Sequence, residues 1–381
     1  MPKNITVFLA ASILIGIIAF SGFGCSEEAK TDTAVIIVEE ETDQIEEIIG
    51  NMTLRQKVCQ LLVVGLEEIS VNQALRERWR NYPFGGVIIF ERNIIRENWL
   101  TEFTTDLQAL SAPERALLIC VDEEGGAVTR IPGEIFPAAV NMARLSESEV
   151  YMIGERMADK LLACGVNMNL APVLDANLDS RNEVIGNRSF GSDPELVSRY
   201  GIALFSGMID KGVIPVGKHF PGHGSTLVDS HYTMPVLDKS KEELFDLELI
   251  PFREAVKAGI PVIMTGHILV SGLDQKPATM SVKIIELLRV DLSFDGVIIS
   301  DDLEMAALTD NYNWEEIILD TFMAGVDLLL IGHNSDRQDE AVHILEKAYG
   351  EGIITDERLN SSLSRILNLQ KNFNLIPSYS N

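Results

Sequence analysis

The sequence is poor in cysteine and in positive charge, and each shortage removes a class of protein. Three of its four cysteines, Cys59, Cys120 and Cys164, sit inside apolar segments. That placement suits buried thiols and argues against a disulfide framework or a cysteine-built zinc site. Lys and Arg number 31 against 57 Asp and Glu, a formal net charge of -26, and no Lys/Arg run is present. An acidic surface repels phosphate and has no cationic run to release counterions, which excludes nucleic acid as a partner. Neither an internal repeat beyond strand-helix alternation nor a low-complexity tract beyond the N-terminal region is found. With 46% hydrophobic residues in 381, the chain has material for a substantial core and reads as globular.

The N-terminus reads as an export signal. Lys3 precedes an uncharged apolar run from Ile5 to Phe20, and Ser21-Gly22-Phe23-Gly24 leads to Cys25. Small residues before a cysteine resemble a bacterial lipoprotein cleavage site, with Cys25 the lipidated residue, although Gly22 stands where such sites usually carry Leu. The alternative is an uncleaved membrane anchor, for which the run is short of the ~20 residues a span needs. Residues 1–24 are therefore expected to be a signal peptide and 25–42 an acidic tether containing Glu39-Glu40-Glu41. A single catalytic domain is expected over 43–381, and the expected location is the cell envelope, facing outside the cytoplasm.

Within that domain, apolar runs of strand length recur at Leu61–Val64, Gly86–Phe90, Ala116–Val121, Val166–Leu170, Val213–Val216, Val262–Met264, Gly296–Ile299 and Val326–Ile331. Helical patterns lie between them, among them Ser148–Cys164, Pro194–Lys211, Lys241–Ala258 and Trp314–Ala324, and Thr355–Phe373 reads as a closing amphipathic helix. Buried strands alternating with helices imply parallel strands and right-handed crossovers. Eight such units predict a (β/α)8 barrel of α/β class. A doubly wound sheet is the alternative, but no Gly-x-Gly-x-x-Gly follows the first strand.

The stretch Lys218-His219-Phe220-Pro221-Gly222-His223-Gly224 through Asp229-Ser230-His231 holds three of the six histidines. Its glycines and Pro221 forbid a continuous helix, so these groups belong to a strand end and the loop beyond it. Other strand ends carry Asp122-Glu123-Glu124 with Arg130, then Asp175 with Arg188, then His267, then Asp301-Asp302. In a barrel they converge on one face, and such a charged set suits a polyhydroxylated ligand.

Together, Lys218–Gly224, Asp229-Ser230-His231, Val121-Asp122-x-Glu124-Gly125-Gly126-x-Val128-x-Arg130, Asn187–Gly191 and Ser300-Asp301-Asp302-Leu303-x-Met305 resemble glycoside hydrolase family 3. More narrowly, they resemble its single-domain β-N-acetylhexosaminidases. The resemblance implies a retaining β-N-acetylglucosaminidase needing no cofactor or metal, acting on peptidoglycan- or chitin-derived glycans. It implies Asp301 as nucleophile, Asp229 and His231 as the proton-transfer dyad, and Asp122, Arg130, Arg188, Lys218 and His219 as sugar ligands. Two departures from the family pattern, Glu123 in place of Gln and Ser225 in place of Asp, bear on substrate preference.

The residues themselves agree with these roles. Glycoside cleavage passes through an oxocarbenium-like state served by a nucleophile and a proton donor, and an imidazole exchanges protons near neutral pH. Asp229 and His231 are two apart, so an extended loop points both the same way. The plainer readings are a surface histidine at His231, packed histidines at His219 and His267, and a helix cap at Asp302. A metal site at His219 and His223 is disfavoured because Pro221-Gly222 breaks the helical geometry that their spacing needs. A phosphate acceptor in place of water, or a carbohydrate-binding lipoprotein without turnover, remains an alternative at this point.

The anchor reading predicts that Cys25→Ser abolishes lipid attachment and leaves an unprocessed form. Metabolic labelling with a lipid precursor checks this; processing that is unchanged in the variant, with no label in the wild type, contradicts it.

Overall fold

The structure, a computed structural model, describes residues 44–95, 97–112, 114–226, 229–230 and 232–376. The expected signal peptide, Cys25, the tether to residue 42 and His231 lie outside the described residues. The barrel unit runs from Ile45 onward.

Eight parallel strands form one sheet: β1 (Leu62–Gly65), β2 (Gly86–Ile88), β3 (Leu118–Val121), β4 (Met168–Asn169), β5 (Ile214–Phe220), β6 (Val262–Thr265), β7 (Val297–Ser300) and β8 (Leu329–Ile331). Each strand from β1 to β6 pairs with its successor, and β8 returns to β1 with Leu62 opposite Leu329. Between β7 and β8 the seam is narrow: a parallel bridge joins Ile299 to Leu328, and Ser300 N–H donates to the Leu328 carbonyl at 2.9 Å. The expected (β/α)8 barrel is thus the fold. All eight strands are buried along their length, which is why they appear in the sequence as unbroken apolar runs rather than as alternating ones.

Two elements differ from expectation. Strand β5 continues through Lys218 and His219 to Phe220, with a register shift against β6 between Gly217 and Phe220. The predicted helix Lys241–Ala258 is two helices, Lys241–Asp246 and Ile250–Lys257. Pro251 causes the break: it has no N–H to donate to the carbonyl four residues earlier, at Leu247 where the first helix ends, and is tolerated in the first turn of the second. The interruption delivers Glu248, 2% exposed, toward the loop after β5. Elsewhere the caps set the boundaries: Ser146 with Glu149 opens Glu147–Ala163, and Asn313 with Glu316 opens Trp314–Ala324. The latter helix ends at Gly325, whose φ of 116° lies in the left-handed region that glycine tolerates.

The end of the barrel where the strands begin is closed by the helix Asp356–Asn372 and a cluster of charge. Asp327, fully buried, accepts from Arg289 Nη2 at 2.5 Å, Arg365 Nη1 at 3.2 Å, Ser362 Oγ at 2.5 Å and the Ile298 N–H at 3.0 Å. Arg358 lies 4.0 Å from the same carboxylate and spends its own donors on the Phe322 and Val326 carbonyls. One carboxylate therefore ties strand β7, the segment entering β8 and the closing helix together.

Removing it leaves three guanidinium groups facing one another with the charge uncompensated. Asp327→Ala is expected to cost about 3–5 kcal/mol, read as a lowered urea midpoint, while activity per folded molecule stays near wild type because the cluster is at the far end from the site.

Candidate active site

The strand C-termini gather the charged residues at the other end. Two cavities of about 410 and 260 Å³ open there and share Asp122, Arg130, Lys218 and Asp301. The first reaches down to Ile88, Leu170, Met264 and Leu330 on alternate strands; the second runs toward Arg188, His219, His223 and Ser230.

Lys218 is the centre of this face. It extends from β5, 2% exposed, and its Nζ lies 2.6 Å from Asp122 Oδ1 and 2.7 Å from Glu124 Oε1. Arg188 grips the same Glu124 through two bonds, Nε to Oε2 and Nη2 to Oε1, each 2.8 Å. Burial opposes the charge on Glu124, but Lys218 and Arg188 outweigh it and hold its carboxyl well below the usual range. Burial likewise works against the ammonium of Lys218, and Asp122 with Glu124 more than offset it, so its pKa is raised. Glu124 is thereby saturated with cations, whereas Asp122 pairs through Oδ1 with Lys218 as its one cation among the described residues and lines both cavities.

His219 is oriented by Asp175, a fully buried carboxylate following β4. His219 Nδ1 is 2.7 Å from Asp175 Oδ2, and the backbone N–H groups of His219 and His223 donate to the same carboxylate, the latter at 2.6 Å. Burial would raise the Asp175 pKa, but His219 opposite and these N–H groups bring it below the ordinary value. Asp175 is thus ionised, so Nδ1 of His219 carries the proton and Nε2 is left for the cavity side.

Asp301 follows β7, its N–H donating to the Thr265 carbonyl of β6 at 3.0 Å. Burial again disfavours the anion, and His219, His267, Lys218 and the Asp302 N–H at 2.8 Å overcome it, so the Asp301 carboxyl lies below its ordinary range. Among the described residues it has no ion-pair contact within bonding distance, unlike Asp122 and Glu124. An ionised carboxylate without a cation clamped to it, beside a ring of donors, is equipped to meet positive charge developing on a ligand.

The neighbours of Asp301 are structural. Asp302 Oδ1 accepts from Glu304 and Gly332 N–H groups at 3.0 and 3.2 Å, holding the turn. His267 is fully buried between Thr279 Oγ1 and the Asp302 carbonyl, and burial lowers its pKa. Packing, not pocket lining, is therefore the place of His267.

Arg130 lines both cavities, and the loop that carries it is held by Glu123. The Glu123 carboxylate accepts the Arg130 and Ile131 N–H groups at 2.9 and 3.0 Å and pairs with Lys160 at 2.7 Å. Glutamate at this position thus has a partner cation of its own. Ser225 likewise has a local partner: its Oγ donates to Glu248 Oε1 at 2.5 Å, and Lys239 pairs with the same oxygen. Beyond it, the Asp229 carbonyl accepts the Tyr232 and Thr233 N–H groups, and Ala307 N–H donates to the Ser230 carbonyl at 3.2 Å. The segment bearing Asp229 is thereby tied to the turn after Asp301, and Ser230 lines a cavity with Asp301.

The structure thus brings Asp122, Arg130, Arg188, Lys218, His219 and Asp301 to one pocket, with Asp229 beside it. The sequence assigns no contact to Glu124 or Asp175, takes Glu123 only as a departure bearing on substrate preference, and weighs His223 only in a disfavoured metal site. Their strand-end positions were visible, but not which cation or imidazole each one faces. Among the described residues, no group of three or more His, Cys, Asp or Glu is arranged to hold a metal ion.

Residues 53–369 match the family model described as glycosyl hydrolase family 3 N terminal domain. The chain is 37% identical over 294 residues to a beta-hexosaminidase of Neisseria meningitidis serogroup C, covering 74% of this chain and 80% of that protein. It is 33% identical over 326 residues to beta-hexosaminidase A of Pseudoalteromonas piscicida, covering 78% of this chain but only 54%, about half, of that relative's length. The solved structure of a glycoside hydrolase family 3 beta-N-acetylglucosaminidase from Paenibacillus sp. matches with a TM-score of 0.81 at 37% identity, over 85% of this chain and 63% of that one.

The cation clamp on Glu124 makes a pH-dependent prediction. Its pKa is lower in the folded chain than the unfolded value of ~4.3, so its stabilisation is complete above that value and fades as pH falls below it. Glu124→Gln should lose about 3 kcal/mol at pH 7 by leaving Lys218 and Arg188 under-compensated. Urea unfolding of both proteins at pH 7 and pH 3 should show the gap shrinking at the acid end; a constant gap contradicts the ionised clamp.

Proposed function

Because the chain belongs to glycosyl hydrolase family 3, we propose that it hydrolyses terminal N-acetylglucosamine from peptidoglycan- or chitin-derived glycans with retention of configuration. The observation that carries the reading is Asp301: the pocket carboxylate held ionised yet not clamped by a cation, at the mouth shared by both cavities. The names of the relatives, beta-hexosaminidase and beta-N-acetylglucosaminidase, support the choice of sugar.

In the reaction proposed, an Asp301 oxygen forms a bond to the anomeric carbon as the glycosidic bond breaks. The leaving oxygen takes a proton from the His231 imidazolium, and Asp229 orients that ring and favours its charged form. The neutral imidazole then removes a proton from water, whose oxygen displaces Asp301 from the sugar. Two displacements at one carbon give net retention. Asp122, Arg130, Arg188, Lys218 and His219 supply the hydrogen-bond partners for the sugar hydroxyls, charged groups being the strong ones. The Cys25 lipid anchor and acidic tether fit an enzyme that meets envelope glycans outside the cytoplasm.

The test combines trapping with a leaving-group comparison. A 5-fluoro N-acetylglucosaminyl donor should label Asp301 covalently in the wild type. His231→Ala should lose about 10²- to 10⁴-fold on a chitobiose-type substrate, yet keep near-normal glycosylation by a dinitrophenyl glycoside, which departs without a proton. Mass spectrometry placing the label on Asp302, or equal losses on both substrates with glycosylation rate-limiting, contradicts the assignment.

A further inference from the structure

Just beyond β8, His333 enters the wall of the larger cavity, which it shares with Phe90. The two rings are stacked, 5.0 Å apart between centroids and tilted by 23°. Their position is fixed from several sides. Asp302 Oδ2 lies 3.3 Å from His333 Nε2. Arg92 Nη1 lies 3.3 Å from His333 Nδ1, with its guanidinium 4.4 Å from the Phe90 ring centre. Arg92 is itself anchored by donating to the Leu66 and Gly332 carbonyls at 2.9 and 2.7 Å. Gly332 leaves room for this approach, because a Cβ there would lie 2.5 Å from Asp302 Oδ2 and 2.9 Å from the Phe90 ring.

In either protonation state, one ring nitrogen of His333 faces a carboxylate and the other a guanidinium. One face of the ring is against Phe90, yet the side chain is 56% exposed. What it offers the cavity is therefore aromatic surface, not a hydrogen-bonding edge. The carbon-bound faces of a sugar ring are apolar and pack on such a surface, whereas its hydroxyls seek charged partners. Arg188 and His219, two of the groups assigned to the terminal sugar, line only the second cavity, and Asp301 lines both. Ser230, next to Asp229, also lines the second cavity, and its carbonyl accepts the N–H of Ala307, whose neighbour Ala306 belongs to the first. The scissile bond falls at that junction, and the group departing from the anomeric carbon extends into the first cavity. We propose that Phe90 and His333 form a stacking platform for the sugar on the leaving-group side of the scissile bond, which makes His333 a specificity-determining residue favouring glycans over simple glycosides. This rests on the glycosidase reading above.

The experiment compares kcat/KM for chitobiose with that for N-acetyl-β-glucosaminyl fluoride, whose leaving group is a single atom and cannot stack. His333→Ala should lose about 5- to 10-fold on chitobiose and markedly less on the fluoride. His333→Phe, which keeps the ring and gives up both nitrogens, should recover most of the chitobiose loss. Equal losses on the two substrates, the result of a purely structural role, overturn the proposal; so does a His333→Phe value no better than that of His333→Ala. A second readout needs no change at His333. With turnover blocked by Asp301→Asn, proton spectra of bound chitobiose should show the reducing-end sugar's C–H resonances moved upfield by the ring current. An unmoved reducing-end sugar at saturation overturns the platform as well. A wild type inert on both substrates would instead overturn the glycosidase reading, and this proposal with it.

Discussion

The arrangement of the functional end of this barrel depends on burying the ammonium of Lys218. An ion removed from water costs several kcal/mol unless compensated at close range, and β5 carries Lys218 into the barrel mouth at 2% exposure. Asp122 and Glu124 come from the end of β3 to neutralise it, and Glu124 in turn requires Arg188 from the loop after β4. Three strand ends are locked by one chain of charges. Asp301, adjacent but outside the clamp, is held below its ordinary range against its burial by His219 and His267 first, then by the Asp302 N–H and Lys218, and among the described residues its oxygens make no salt bridge.

A second buried carboxylate, Asp175, does for the β5 loop what Glu124 does for the cations. It collects three donors from His219 and His223, so that both imidazoles are presented with defined edges. Glu248 holds the next portion through Ser225 and Lys239, and is available because Pro251 divides the helix behind it. Sites are most accurate when the residues that touch the ligand are themselves held by others. Here the holding groups are mostly carboxylates, which is one use for the excess of acid over base in the composition.

The two ends of the barrel divide their tasks. At the end where strands begin, Asp327 is enclosed by arginines and contributes to holding the closing helix. Where strands finish, paired charges border open cavities. Both ends contain buried ion pairs, and at the second the charged groups also line cavities, the usual polarity of function and stability in this architecture.

The sequence by itself determined the barrel. Buried parallel strands must be apolar along their whole length, and helix starts carry their caps within three residues, so both signals are local. The break at Pro251 was equally local and went unread in the predicted helix Lys241–Ala258. The order of the charged motifs was also visible, and with it the residues that converge at the strand ends. What only the tertiary structure decided is which charge meets which. Lys218 and Asp122 are 96 residues apart, Arg188 and Glu124 64, His219 and Asp175 44. Ion pairing and burial at such separations depend on closure of the barrel, not on any nearby pattern. That is why Glu124 and Asp301, both acidic residues at strand ends, differ in the folded protein: one is enclosed by two cations and the other is left facing the pocket.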